Sequence, residues 1–178
     1  MYLEQKFSLE NLKGLSEKQI SEHLKLYAGY VKNANELLDK IGKMAGDDSS
    51  DKYLLAELRR RMGFEFNGMR LHELYFEALG QSNEPVENNK IASEISKQFG
   101  SFENWTKQFK QAGLARGIGW VLLVQDPKNG DLQNIWITDH EVGHLATNKI
   151  LLALDVWEHA YLLDYLPSQR KEYIEAFF

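Results

Sequence analysis

Gly119-Trp120-Val121-Leu122-Leu123-Val124-Gln125, then Asp126-Pro127-Lys128-Asn129-Gly130-Asp131, then Leu132-Gln133-Asn134-Ile135-Trp136-Ile137-Thr138 follow one another without a break. The first run is apolar almost throughout and rich in β-branched and aromatic residues, the second carries Pro127 and Asn129-Gly130, and the third returns to strand-forming residues. That order reads as a β-hairpin whose first strand is buried on both faces. Ile150-Leu151-Leu152-Ala153-Leu154 is a further apolar run of strand length, and the chain is expected to turn helical after Asp155. Upstream the periodicity is different. Leu15-Ser16-Glu17-Lys18-Gln19-Ile20 opens a helix with Ser16 as N-cap and Gln19 completing a capping box, and the helix runs to about Met44. Gly46 to Ser50 is a turn, and a second helix extends from about Asp51 to Leu79 with an interruption near Gly63 and Gly68. Shorter helices are expected over Glu87 to Phe99 and Ser101 to Arg116, the latter with Phe102, Trp105, Phe109 and Ala112 on one face. Helices first and strands later define an α+β fold: a long N-terminal helical hairpin, then a small antiparallel sheet flanked by helices. Gly80 to Pro85 is the best boundary, giving a helical hairpin domain over 1–83 and a C-terminal α/β domain over 84–178.

The chain has 178 residues, 43% of them apolar and 26% charged, which suits one ordinary globular unit. Its net charge of −5 argues against a nucleic-acid or anionic-membrane partner, so an anionic substrate needs a local basic entrance, for which Arg170 and Lys25 are the candidates. Cysteine is absent, which excludes disulfides, a thiolate nucleophile and Cys-ligated metal sites. Any metal here is held by His and carboxylates. The opening residues carry charges and no long apolar run, so neither a signal peptide nor a membrane span is expected, and the expected location is cytoplasmic.

Asp155-Val156-Trp157-Glu158-His159-Ala160-Tyr161 places a carboxylate at the end of a strand and an imidazole four residues later. By itself an Asp with a His at that spacing is more often a capped, solvated helix start. This heptapeptide, however, resembles the C-terminal signature of the iron/manganese superoxide dismutases, in which both residues are metal ligands. The resemblance extends through Phe99-Gly100-Ser101-Phe102, Gly117-Ile118-Gly119-Trp120 and the tail Tyr173 to Phe178. Upstream, Asn67, His72, Tyr75, Phe76 and Leu79 match the outline of the family's second helix. Ser21 to Asn33 is similar to its first, with one residue fewer between ligand and gateway tyrosine. Two registers compete: an ungapped one puts Glu22 at the ligand position, and one deletion puts His23 there. Helix geometry favours His23, because Tyr27 and Tyr30 then lie within about 40° and about 20° of it on one face.

The resemblance therefore implies a superoxide dismutase with one iron or manganese ion per subunit on His23, His72, Asp155 and His159. Three neutral imidazoles and one carboxylate are hard-to-borderline donors of the kind that suits both metals. Tyr30 corresponds to the gateway hydroxyl that relays protons, and Phe76, Trp120 and Trp157 to an aromatic wall. In the family a Gln from one of two places hydrogen-bonds the solvent at the metal. The iron-type place falls on Gly68 and the manganese-type place on His140, in Thr138-Asp139-His140-Glu141. A His at the latter place is found in relatives that use iron or accept either metal, so iron is slightly favoured. Glu158 resembles the residue that reaches a ligand His across a dimer interface, which implies a homodimer or homotetramer. A His–Tyr contact of that interface is missing, since its places hold Tyr27 (or Leu26) and Leu162. The alternatives are a non-catalytic structural relative and a two-His-one-carboxylate iron oxygenase, whose open coordination position a third His would fill.

Overall fold

The Ser16 hydroxyl accepts a hydrogen bond from Gln19 N at 3.1 Å, a cap of about 1 kcal/mol, and starts α1 (Glu17–Ala45). The return half of the expected capping box is absent, because the Gln19 side chain is committed elsewhere. Ile20, His23, Tyr27, Val31, Ala34 and Leu37 recur at three- and four-residue spacing and form the buried stripe. Asp51 caps α2 (Lys52–Leu79), its carboxylate accepting from Tyr53 N and Leu54 N. α2 packs along α1 as the second arm of the hairpin. It is unbroken, contrary to the interruption expected at Gly63 and Gly68. A glycine inside a helix costs about 1 kcal/mol, and at Gly68 the close packing of the Tyr30 ring offsets it.

The computed structural model describes residues 1–80 and 90–178. The expected domain boundary at 83/84 and the expected helix start at Glu87 lie outside the described residues. α3 (Lys90–Phe99) and α4 (Phe102–Gly113) follow, with Ser101 capping α4 through Asn104 N. α4 stops at Gly113 instead of continuing to Arg116. That glycine sits where a Cβ would meet Ile174 and Leu154, so the helix ends against the core.

β1 (Gly119–Gln125), β2 (Leu132–Thr138) and β3 (Lys149–Asp155) form an antiparallel sheet in the order β2-β1-β3. β1 is the central strand and is buried along nearly all its length, as its apolar run requires. The register sets Trp120 opposite Asp155 on one side and Ile137 on the other. Gly119, at φ 142°, is needed here, because a Cβ would lie 2.0 Å from the Ile137 carbonyl oxygen. Its own carbonyl accepts from Val156 N at 3.0 Å and so fixes the chain just beyond Asp155.

The helix expected after Asp155 does not form. Asp155 ends the strand, its carbonyl accepts from the Tyr173 hydroxyl at 2.6 Å, and its Oδ1 accepts from Trp157 N at 2.8 Å. The Trp157 bond is an ordinary cap, but the Tyr173 bond takes up the carbonyl that would accept the first intrahelical bond, and only a 3-10 turn, Glu158–Ala160, carries His159. A second 3-10 turn at Pro167–Gln169 leads into α5 (Arg170–Phe177). α2 packs on β3, which places the middle of the helical hairpin against the end of the sheet that carries Asp155. No helix among the described residues is long and apolar enough to cross a membrane.

Candidate metal centre

α1 brings His23, α2 brings His72, the end of β3 brings Asp155, and the 3-10 turn brings His159 to one point. Their potential ligand atoms all lie within 4.8 Å of one another. Asp155 Oδ2 is the hub, at 3.2 Å from His23 Nε2, 3.1 Å from His159 Nε2 and 3.6 Å from His72 Nε2. His23, His72 and Asp155 are wholly buried, whereas the His159 side chain is 27% exposed. Between the two registers for α1, the structure turns His23 inward and leaves Glu22 on the surface, paired with Lys25 at 2.7 Å.

The tautomer of His72 follows from its partner. Gly68 O can only accept, so Nδ1 carries the proton in their 2.6 Å bond, and the lone pair sits on Nε2. That Nε2 is buried with no hydrogen-bond partner among the described residues, as is His23 Nδ1. A buried polar atom left unpaired costs about 1–3 kcal/mol, and for His72 Nε2, which faces the hub, a cation there converts this cost into a coordinate bond; His23 meets the hub through Nε2 instead. Burial lowers the pKa of His72 well below that of free imidazole and lowers that of His23 against the opposing pull of Asp155. Both rings are therefore neutral, as metal binding demands. Burial by itself would raise the Asp155 carboxyl; the electrostatic pull and hydrogen bonds of the facing His159 and His23 rings outweigh it and hold the group below the usual carboxylate range. The arrangement supplies three imidazole nitrogen donors and one anionic oxygen at one point.

Aromatic rings close the site on most sides. Phe76 lies 4.9 Å from the His23 ring, Trp120 5.0 Å from His72, and Trp157 5.6 Å from His159. Tyr30 and His140 meet beside them, Tyr30 Oη being 2.8 Å from His140 Nε2. Trp120 Nε1 donates to His140 Nδ1 at 2.9 Å, and an indole N–H has no acceptor role. The His140 proton is consequently on Nε2 and is donated to the Tyr30 oxygen, which leaves the tyrosine's own proton free to point toward the four donors. Asn67 Nδ2 and His144 Nε2 both bond the His140 carbonyl and hold its loop in place. Burial raises the Tyr30 pKa, with the charges of Asp155 and Glu65 adding to it, so the hydroxyl stays protonated. Burial also pushes His140 down to about 4, so its ring is neutral at physiological pH.

The two residues expected at a basic entrance are placed differently. Lys25 forms its exposed pair with Glu22, and Arg170 donates to Gly117 O at 2.8 Å with its guanidinium over Trp136. Tyr27 is buried, accepts from Gln5 N at 2.9 Å and donates to Glu73 at 3.1 Å. Sequence reasoning missed the Tyr173 bond to the Asp155 carbonyl and the indole bond that sets the His140 tautomer. A Tyr or Trp expected in the core signals that its polar atom needs a buried partner, though not which one.

Gly68 gives the site a sharp steric test. A Cβ there would stand 2.6 Å from the Tyr30 ring, and overpacking of this kind costs about 1–3 kcal/mol. Gly68→Ala is expected to displace the Tyr30 ring from His140 and to lower turnover about tenfold while the metal content stays native. Parallel metal analysis and steady-state kinetics check this, and unchanged turnover would show that the Tyr30 position is immaterial.

A helical hairpin packed on the end of a small antiparallel sheet, with three imidazoles and one carboxylate converging between them, forms a donor set that could hold one metal ion. Comparison with known proteins is more specific. The profile of the iron/manganese superoxide dismutases, C-terminal domain, matches residues 87–178. The chain is 36% identical to an iron superoxide dismutase of Pyrobaculum aerophilum, over 86% of this chain and 72% of that protein. It is 36% identical to an iron superoxide dismutase of Cupriavidus metallidurans, over 93% and 83% of the two lengths. It is 32% identical to a manganese superoxide dismutase of Halobacterium salinarum, over 85% and 74%. The chain belongs to the iron/manganese superoxide dismutase family, whose members convert superoxide to dioxygen and hydrogen peroxide. The non-catalytic alternative is not favoured, since the donor set is complete.

Proposed function

We propose that His23, His72, Asp155 and His159 bind the one iron or manganese ion of this dismutase and that Tyr30 and His140 manage its protons. The observation that carries the reading is the buried, unpartnered Nε2 of His72 facing the Asp155 carboxylate that His23 and His159 share. When bound, such an ion supplies the one-electron exchange that takes an electron from one superoxide and returns it to the next. The single carboxylate offsets part of the ion's charge in a site that excludes water, which keeps both oxidation states accessible. Disproportionation of two superoxide anions consumes two protons. Tyr30 holds one at the mouth of the site, and the neutral His140, fixed by Trp120, keeps the tyrosine oxygen oriented so that its proton faces inward. Phe76, Trp120 and Trp157 exclude competing water and limit entry to a small anion.

Iron is the favoured metal, with manganese also supporting turnover. His140 stands where the resemblance leads one to look for a manganese-type Gln, and relatives named as iron enzymes match the chain over most of its length. A homodimer in the cytoplasm completes the reading. Its support is the exposed Glu158 beside a partly exposed His159, whose Nδ1 has no partner among the described residues. The test is to load the metal-free protein with iron and with manganese in turn and assay both. One ion per chain, high superoxide-consuming activity with iron and lower but measurable activity with manganese are expected. Stoichiometric metal with no activity in either form would refute the function.

A further inference from the structure

Gln19 is fully buried, and both ends of its amide are spent on the turn that carries His159. Its Nε2 donates to the His159 carbonyl at 2.7 Å, and its Oε1 accepts from Leu163 N at 3.0 Å. Within the turn, Ala160 N bonds Trp157 O, Tyr161 N and Leu162 N share Glu158 O, and Asp164 N and Tyr165 N share Tyr161 O. The His159 carbonyl and the Leu163 amide have no backbone partner in this set, and Gln19 donates to the first and accepts from the second in the manner of a missing residue. Gln19 also lies one helical turn before His23 on the same face of α1. One helix face thus carries a candidate ligand and the clamp on the backbone of another, with the His23 and His159 rings 5.0 Å apart.

We infer that Gln19 is a positioning residue for the metal centre: it locks the His159 turn to α1 and thereby sets the spacing between His23 Nε2 and His159 Nε2. This rests on the proposed ligand set. Neighbouring bonds align the same two segments without replacing it. Ser16 N donates to Asp164 Oδ2 at 2.6 Å and the Tyr165 hydroxyl to Gly14 O at 2.5 Å, both nearer the surface and both beyond the ligand. Without the amide, the His159 carbonyl is released to seek another donor, and the ring swings on a turn that has lost its brace.

The test uses the iron-loaded full chain carrying Gln19→Met, which keeps volume but neither hydrogen bond, and Gln19→Glu, which keeps the acceptor for Leu163 N. Trp105→Phe is the control, since it breaks a partly buried bond to Asn134 in another part of the fold. Measured are the rate of iron release to a chelator, the electron paramagnetic resonance signature of the ferric protein, and the thermal midpoint. Release about tenfold faster or more, a changed rhombicity in both Gln19 variants, and a control that loses stability but keeps the native signature are expected. Should both Gln19 variants follow the control in release and signature, Gln19 is only structural and the inference falls. His159→Ala separates the two readings. If that variant retains iron with the native signature, the ligand assignment itself fails; if it loses iron while the Gln19 variants match the control, only the clamp fails.

Discussion

Asp155→Asn is expected to abolish stoichiometric metal binding and to lower superoxide-consuming activity by a factor on the order of a thousand. The expectation follows from the hub geometry. One oxygen, Oδ2, lies within 3.6 Å of all three Nε2 atoms, and the side chain's other oxygen is pinned by Trp157 N. Asparagine retains the shape and removes the charge, so three imidazole rings face an amide with no anion to offset a cation in a buried site. The cost of a buried uncompensated charge is about 3–5 kcal/mol, enough to shift metal occupancy by two to four orders of magnitude. Metal analysis by mass spectrometry and a superoxide assay on the purified variant check the prediction. Native metal content in Asp155→Asn would mean that the carboxylate is not a ligand.

The second large effect separates two adjacent residues. His23→Gln is expected to lose the metal and nearly all activity, whereas Glu22→Gln is expected to keep both within about twofold. Glu22 is half exposed and, among the described residues, pairs with the exposed Lys25, a surface contact of about 0–1 kcal/mol. His23 is buried against Phe76 and Tyr75 and faces Asp155, so its ring has no alternative environment. The pair is measured side by side under one loading protocol, which removes differences in metal supply. A Glu22→Gln protein that loses its metal would reverse the register on which the site rests.

Much of this architecture was legible from local signals. The hairpin over Gly119–Thr138 follows from turn chemistry between apolar runs, and Ser16 and Ser101 mark helix starts where the backbone needs acceptors. Asp155 and His159 are apparent from a seven-residue motif, and helical phase alone favours His23 over Glu22. What escaped depends on partners far apart in sequence. The Gln19 amide reads locally as half of a capping box, and only the arrival of residues 159 and 163 diverts it. The helix expected after Asp155 fails because Tyr173, eighteen positions on, occupies the carbonyl that would have started it. The break expected in α2 fails because the helix propensity of Gly68 is overridden by the packing of Tyr30. Local propensity is a weak prior wherever a buried polar group or a tight ring contact is waiting elsewhere in the chain.

The central claim is that His23, His72, Asp155 and His159 share one metal ion, and anomalous diffraction from crystals of the iron-loaded protein tests it most directly. A single strong peak at the iron edge is expected, bonded to three imidazole nitrogens and one Asp155 oxygen at about 2.0–2.2 Å. A peak elsewhere, or one that leaves the His23 ring outside bonding distance, would contradict it.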